Sequence, residues 1–170
     1  MLDETIRLEA PPLTSCDGRI GEPHRIFISG NPSKRFLHGA LNIQRGDVLL
    51  WHRSKWTQVE PQTFLQMVRS HWRGWQMVLF EDRATPHQAA ASQELAAQLG
   101  LHLRFLPRAT PELNAMEHLW RHLKREGLSN RETSSVQQSA EVACRYILGL
   151  SPRERLRKAG VSSGNFWLTL

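Results

Sequence analysis

Acidic residues at three separated places have the type and setting for chemistry. Asp3-Glu4 opens the chain, Glu81-Asp82 closes a short apolar run, and Glu117 lies within a helix-forming stretch. Carboxylates are hard oxygen donors, and a few of them suffice to hold divalent cations that keep part of their water. Two such cations about 3.5–4 Å apart can neutralise the attacking and leaving oxygens of a phosphodiester. Each acidic residue also has a plainer reading. Asp3 fits a solvated strand residue, and a shift of one residue would put Glu4 on the opposite face instead. Glu81 and Asp82 fit residues that solvate the exit of a strand. Glu117 fits a boundary residue paired with Arg121 at i,i+4. A rival motif is His118 and His122 at i,i+4, the spacing of zinc ligands in H-E-x-x-H hydrolases. Leu119 follows His118 where those enzymes carry the glutamate base, so the polar face of the helix explains the pair.

The elements that must position these groups follow from periodicity and punctuation. Residues 1–8 alternate, with Leu2, Ile6 and Leu8 on one side and Asp3, Thr5 and Arg7 on the other, as in a half-buried strand. Residues 25–29, 35–43 and 48–51 predict three more strands joined by turns at 30–32 and 44–47, an antiparallel meander. Gly39 within them marks a bulge or a close approach of backbone. Residues 61–72 predict a helix with Phe64, Leu65, Val68 and Trp72 inward. Gln76–Phe80 is nearly continuous in apolar residues, as in a central strand covered on both faces. A carboxylate at its carboxyl end stands where open α/β sheets hold ligands. An Ala-rich helix over 86–99 stops at Gly100, and 102–106 supplies a last strand. The next helix starts at Pro111 with Thr110 as cap, runs to about Gly127, and carries Leu113, Met116, Leu119, Trp120 and Leu123 as one stripe. Glu117 lies about 100° of rotation off the centre of that stripe, beside Asn114 and Arg121. A helix over 130–150 and a basic run at 151–158 complete the chain.

With 170 residues, 40% of them hydrophobic and 22% charged, the chain has the length and composition of one globular domain with a real core. Lys and Arg outnumber Asp and Glu by 22 to 16, a net charge of +6 that favours a polyanionic partner, nucleic acid first. Cys16 and Cys144 have no metal-ligand spacing and read as reduced intracellular thiols. No stretch reaches the length of a membrane span, and Asp3-Glu4 stands where a secretory signal would be apolar. A cytoplasmic location, nucleoid-associated in a bacterium, is the expectation.

Three segments together resemble the signature of the DDE-superfamily transposases, in the insertion-sequence branch related to mariner. Leu2-Asp3-Glu4-Thr5, with Leu8 and Pro11-Pro12-Leu13, resembles the opening of that catalytic domain, where the first aspartate precedes Glu-Thr. Asp82-Arg83-Ala84-Thr85-Pro86-His87 resembles the second-aspartate segment Asp-x-Ala-x-x-His, with Arg83 where Asn is usual. Leu106-Pro107, Pro111-Glu112-Leu113-Asn114 and Glu117 resemble Pro-x-Leu-Asn-Pro-x-Glu, with Ala115 at the second proline. Between Asp82 and Glu117 stand 34 residues, a separation similar to that of the mariner-related branch.

The resemblance implies a ribonuclease H-like, retroviral-integrase-like fold: an α/β mixed sheet flanked by helices. Residues 1–130 would form the DDE catalytic domain, and 131–170 a helical extension packed on it. The catalytic and metal-holding residues it implies are Asp3, Asp82 and Glu117, around two Mg2+ ions that Mn2+ can replace. Lys124, Arg125 and Arg121 are the expected DNA contacts, and His87 and Asn114 the supporting residues behind the ligands. The implied activity is metal-dependent DNA nicking and strand transfer in transposition, on transposon ends and target duplex, with TA steps as a frequent target. Family members carry helix-turn-helix regions ahead of this domain, so end recognition is expected from elsewhere, such as a separate helix-turn-helix polypeptide; a homodimer is also admitted. The competing expectation is a catalytically silent remnant that binds nucleic acid or a protein partner.

Overall fold

The computed structural model describes residues 1–8, 10–15, 25, 33–131 and 133–168. Cys16, residues 26–29 of the strand expected over 25–29, and the turn at 30–32 lie outside those residues. Strands β1 (Leu2–Leu8), β2 (Lys34–Leu41) and β3 (Val48–Arg53) form an antiparallel ladder in that order. Strands β4 (Met77–Glu81) and β5 (Leu101–Phe105) pair in parallel. β1 lies beside β4, and among the described residues no hydrogen-bonded ladder joins the two sets.

Helices cover both faces. Helix α1 (Val59–His71) and helix α3 (Ala90–Gln98) pack Phe64, Leu65, Val68 and Ala96 against Leu2, Ala40, Met77, Leu79 and Leu101. On the other face, helix α4 (Ala115–His122), helix α5 (Val136–Gly149) and helix α6 (Pro152–Lys158) bring Met116, Leu119, Trp120, Ala140, Ala143, Ile147 and Ala159 onto Leu37, Leu41 and Val48. Residues 131–168 thus share the core of the strands rather than building one of their own. One further short helix, α2 (Thr85–Gln88), connects β4 to α3.

Being covered on both faces changes β1. Thr5 and Arg7, expected outside, are buried, whereas Ile6 is 49% exposed. Arg7 is accommodated because its guanidinium donates to Ser139 Oγ and to the Ala10 carbonyl, 3.0 Å away. Gly39 is a close approach and not a bulge. It pairs in register with Asp3 and Leu50, and a Cβ placed on it would stand 2.6 Å from Trp120 Cζ2. Lack of a side chain at Gly39 is therefore what lets α4 lie down on the sheet.

Two helices start elsewhere than their sequence signals indicate. The Ala-rich helix is broken at Ala89, whose extended backbone (φ −58°, ψ 133°) separates α2 from α3. Pro111–Leu113 make one 3-10 turn, and Thr110 caps nothing. The cap of α4 is Asn114, whose side-chain oxygen accepts from the Met116 amide at 3.0 Å. After α4 the backbone widens into a π turn over Leu123–Gly127, seated on the Tyr146 ring beside Gly127.

Candidate metal centre and DNA cleft

β1, β4 and α4 deliver one carboxylate each to a common cleft of about 560 Å3. Asp3, Asp82 and Glu117 line it together with Asn114, Arg83 and Arg108. Asp3 comes from the middle strand of the assembly, Asp82 from the residue after β4, and Glu117 from the first turn of α4. Asn114 ties two of these supports together. While its oxygen caps α4, its amide donates to the Leu2 carbonyl at 3.1 Å, so the helix of Glu117 is hung from the strand of Asp3. Asp82 is the most open of the three, with a side chain 56% exposed, and one oxygen accepts from the Ala84 amide at 2.9 Å.

The cleft carries negative charge that its own residues do not balance. Burial first, then the charges of Glu4, Glu117 and Asp82, push the Asp3 carboxyl up to about 8, and a hydrogen bond to Glu117 adds to the shift. Asp3 Oδ2 is buried without a hydrogen-bond partner among the described residues. An uncompensated oxygen facing two further carboxylates fits a hard divalent cation, which would supply the missing positive charge. Among the described residues no three or more Asp, Glu, His or Cys side chains are gathered closely enough to hold a metal ion by themselves. A closed protein cage is not what magnesium needs, because it retains waters and takes ligands from bound phosphate.

The neighbouring carboxylates, Glu4 and Glu81, point to the opposite face, as strand alternation requires. There they meet His87, which is only 3% exposed. The ring is held at Nδ1 by Glu81 (2.8 Å) and at Nε2 by Glu4 (2.9 Å), while Asp82 Oδ1 is 4.0 Å away. The second Glu4 oxygen is 3.2 Å from His38 Nδ1, within a box of Trp51, Trp56 and Phe64. Burial opposes ionisation of Glu4, but hydrogen bonds from His38 and His87 outweigh it and bring the carboxyl down to about 2. Burial likewise opposes protonation of His87, but hydrogen bonds to Glu4 and Glu81 hold the imidazolium up to about 11. Glu81 stays above the usual carboxylate range because burial outweighs its bond to His87.

Other sequence candidates fall elsewhere. Lys124 borders a separate groove with Thr5–Arg7, Leu123 and Leu128, and Arg125 pairs with Glu126 at 3.0 Å. Arg121 is exposed on α4, one turn beyond Glu117. None of the three lines the cleft; among the described residues the arginines that do are Arg83 and Arg108. Arg83 Nε donates to the Leu106 carbonyl at 3.1 Å, which bridges the exits of β4 and β5. Its position in place of the usual Asn was the signal available for it; Arg108 had none. In the basic run, Arg155 turns inward to the carbonyls of Gly46, Ile147 and Leu148, and Lys158 binds Glu126 at 2.6 Å. His118 bonds the Glu112 carbonyl and His122 bonds Glu126, so the zinc pair is engaged locally.

The profile of the DDE superfamily endonucleases matches residues 1–139. Among solved structures the chain is similar to the Mos1 transposase paired-end complex with left transposon end. The TM-score is 0.70 at 15% identity, over 93% of this chain and 50% of that one. The mariner Mos1 paired-end complex with Mg aligns with a TM-score of 0.66 at 18% identity, over 98% and 56%. The Mos1 transposase catalytic domain, solved with raltegravir and Mg, aligns with a TM-score of 0.55 at 15% identity, over 79% and 78%. The chain spans about half the length of the Mos1 transposase chains in those paired-end complexes. No curated protein matches the sequence, and no helix among the described residues is long and apolar enough to cross a membrane. The shared fold is the ribonuclease H-like α/β arrangement, and with four-fifths of its length matched the chain belongs to the DDE superfamily endonucleases.

Proposed function

We propose that this chain is the catalytic domain of a mariner-related transposase, which nicks DNA and joins strands using divalent cations. The observation that carries the reading is the meeting of Asp3, Asp82 and Glu117, from three elements, in one open cleft with an unpartnered Asp3 oxygen. Asp3 feels the charges of both other carboxylates, so Asp3, Asp82 and Glu117 would together hold the ions. Two Mg2+ ions, or Mn2+ in their place, supply charge neutralisation for the attacking and leaving oxygens. The chain's residues keep those ligands apart and oriented: Asn114 fixes α4 against β1, and the Ala84 amide fixes Asp82. Arg83 and Arg108 offer phosphate contacts inside the cleft. Arg121, Lys124 and Arg125, more distant, would serve the flanking duplex.

The related structures named for transposon ends support a DNA substrate, and the reading extends to duplex DNA, with TA steps as a target and a homodimer as the working unit. End recognition would come from a helix-turn-helix region, in the same polypeptide or a separate one. We read 1–130 as the catalytic unit and 131–170 as an extension sharing its core, in a protein that acts on DNA in the cytoplasm. A nicking assay on duplex DNA with Mg2+ or Mn2+ tests the proposal. Asp82→Asn is expected to bring nicking to background while duplex affinity stays within about twofold of the parent, since phosphate contacts dominate affinity. Metal-independent nicking, or nicking unaffected by Asp82→Asn, would overturn it. A silent binding domain would give no nicking and would lose affinity only when arginines are removed.

A further inference from the structure

β1 and β4 carry the two aspartates of the cleft, yet among the described residues no backbone ladder holds these strands at a set spacing. On the face away from the cleft they share an apolar cluster, with Leu2 from β1 and Met77 and Leu79 from β4, and one polar side chain bridges them directly. His87 reaches Glu4 on β1 at 2.9 Å and Glu81 on β4 at 2.8 Å, and both carboxylates are nearly fully buried. Glu4 adjoins Asp3 and Glu81 adjoins Asp82, so any change in the Glu4–Glu81 separation is passed through the two backbones to the ligand pair above. His38, fixed among Trp51, Trp56 and Phe64, holds the other Glu4 oxygen and stops that arm from swivelling.

We propose that His87 is a positioning residue: bridging Glu4 and Glu81 beneath the cleft, it fixes the distance between β1 and β4 and hence between Asp3 and Asp82. The inference rests on the reading of Asp3 and Asp82 as metal-holding residues. It assigns Glu4 and Glu81, which touch no substrate, the work of struts. It also differs in sign from a simple charge effect. A cationic ring near a cation site repels metal, so on charge alone its removal would tighten binding; loss of a strut loosens it.

The test is Mn2+ affinity, followed by the electron paramagnetic resonance of free Mn2+, with melting temperature recorded for each variant. His87→Gln removes the charge and the two-sided bridge. The double variant Glu81→Leu/His87→Leu removes one positive and one negative group, which leaves local net charge unchanged and fills the space with apolar side chains. Outer-shell supports of metal ligands commonly matter by tenfold to a hundredfold in affinity. We expect Mn2+ binding at least tenfold weaker in whichever variant folds, with duplex affinity unchanged. Binding within twofold of the parent, or tighter, in either folded variant would overturn the proposal. Failure of both to fold would assign His87 to stability alone and overturn it too. Asp82→Asn separates the two levels of argument: if it leaves Mn2+ binding unchanged, the metal reading itself is lost, whereas weakening there with none in the His87 variants removes only the strut.

Discussion

The two faces of β1 and β4 carry the same kind of residue and treat it in opposite ways. Asp3 and Asp82 face the cleft among other carboxylates, and the Asp3 carboxyl is driven up to about 8. Glu4 and Glu81, their immediate neighbours, face the interior; there Glu4, paired with His38 and His87, falls to about 2. Burial is not equal, since the Asp82 side chain is 56% exposed and those of Glu4 and Glu81 are 3% and 1%, but it pushes the Asp3 and Glu4 carboxyls in the same upward direction. The difference is pairing: the interior carboxylates are hydrogen-bonded to His87, whereas among the described residues no ion pair joins the carboxylates of the cleft to Arg83 or Arg108. Acidic groups that the fold has neutralised serve the structure, and those left uncompensated await something that arrives from outside.

The sharpest way to break this comparison is to remove one negative charge from each face. Asp3→Asn should abolish metal-dependent nicking, yet raise the melting temperature at pH 8, because it removes repulsion and a buried orphan charge. Glu4→Gln should do the reverse to stability. Breaking one side of a buried ion pair costs about 3–5 kcal/mol, which for a domain of this size is a melting point lower by roughly 6–20 °C. Thermal melts of the two variants without divalent ions measure both signs. Equal destabilisation by the two would mean that the faces are not different.

A smaller and graded effect comes from pH. The Asp3 carboxyl titrates near 8 in the folded chain against an ordinary value of 3.8. The folded state therefore binds that proton more tightly, and its contribution to stability is complete below about pH 4 and lost as pH rises through 8. Melting temperature without divalent ions should fall across that window, and Asp3→Asn should flatten the slope. Glu4 and His87, titrating near 2 and 11, stay silent there. Metal competes with the same proton, so Mn2+ affinity should climb about tenfold per pH unit up to about 8. A calorimetric titration at pH 6, 7 and 8 measures it, and a flat profile would contradict the placement of Asp3.

Which acidic residue faces the cleft was legible only through the three motifs at Asp3, Asp82 and Glu117, which set a register that strand alternation alone left open between Asp3 and Glu4. What lies behind them was not. Glu4 and His87 are 83 positions apart, and nothing in local periodicity announces that they meet. The N-terminal strand read as half-buried because its alternation is clean; Thr5 and Arg7 are buried all the same, and Arg7 is accommodated by Ser139 in α5, a partner that only the tertiary structure brings. Thr110 and Pro111 are good helix-start signals, but the 3-10 turn spends them and leaves the cap to Asn114, which also holds β1. The basic run over 151–158 read as one charged face. In the fold it divides, with Arg155 and Lys158 committed to docking α6 and Arg153 and Arg157 left outside.

That division offers the gentlest probe of the opening contrast, since it sets a paired carboxylate at the surface against the paired carboxylate in the core. Glu126 is surrounded as fully as Glu4: Lys158 at 2.6 Å, Arg125 and Tyr146 at 3.0 Å, and His122 at 3.1 Å. Hydrogen bonds from Lys158 and Arg125 carry its carboxyl below the usual range, yet its side chain is 37% exposed. Water already reaches the Glu126 carboxylate there, and three other partners stay with it, so removing Lys158 leaves no dry orphan charge. Lys158→Ala should therefore cost only about 0–1 kcal/mol, and because Lys158 is engaged with Glu126, duplex affinity should change less than on Arg157→Ala. A melt and a salt-dependent DNA titration of the two variants read both effects. If Lys158→Ala proved as damaging as Glu4→Gln, a paired carboxylate would matter as much to stability at the surface as in the core, and burial would not set the size of the effect.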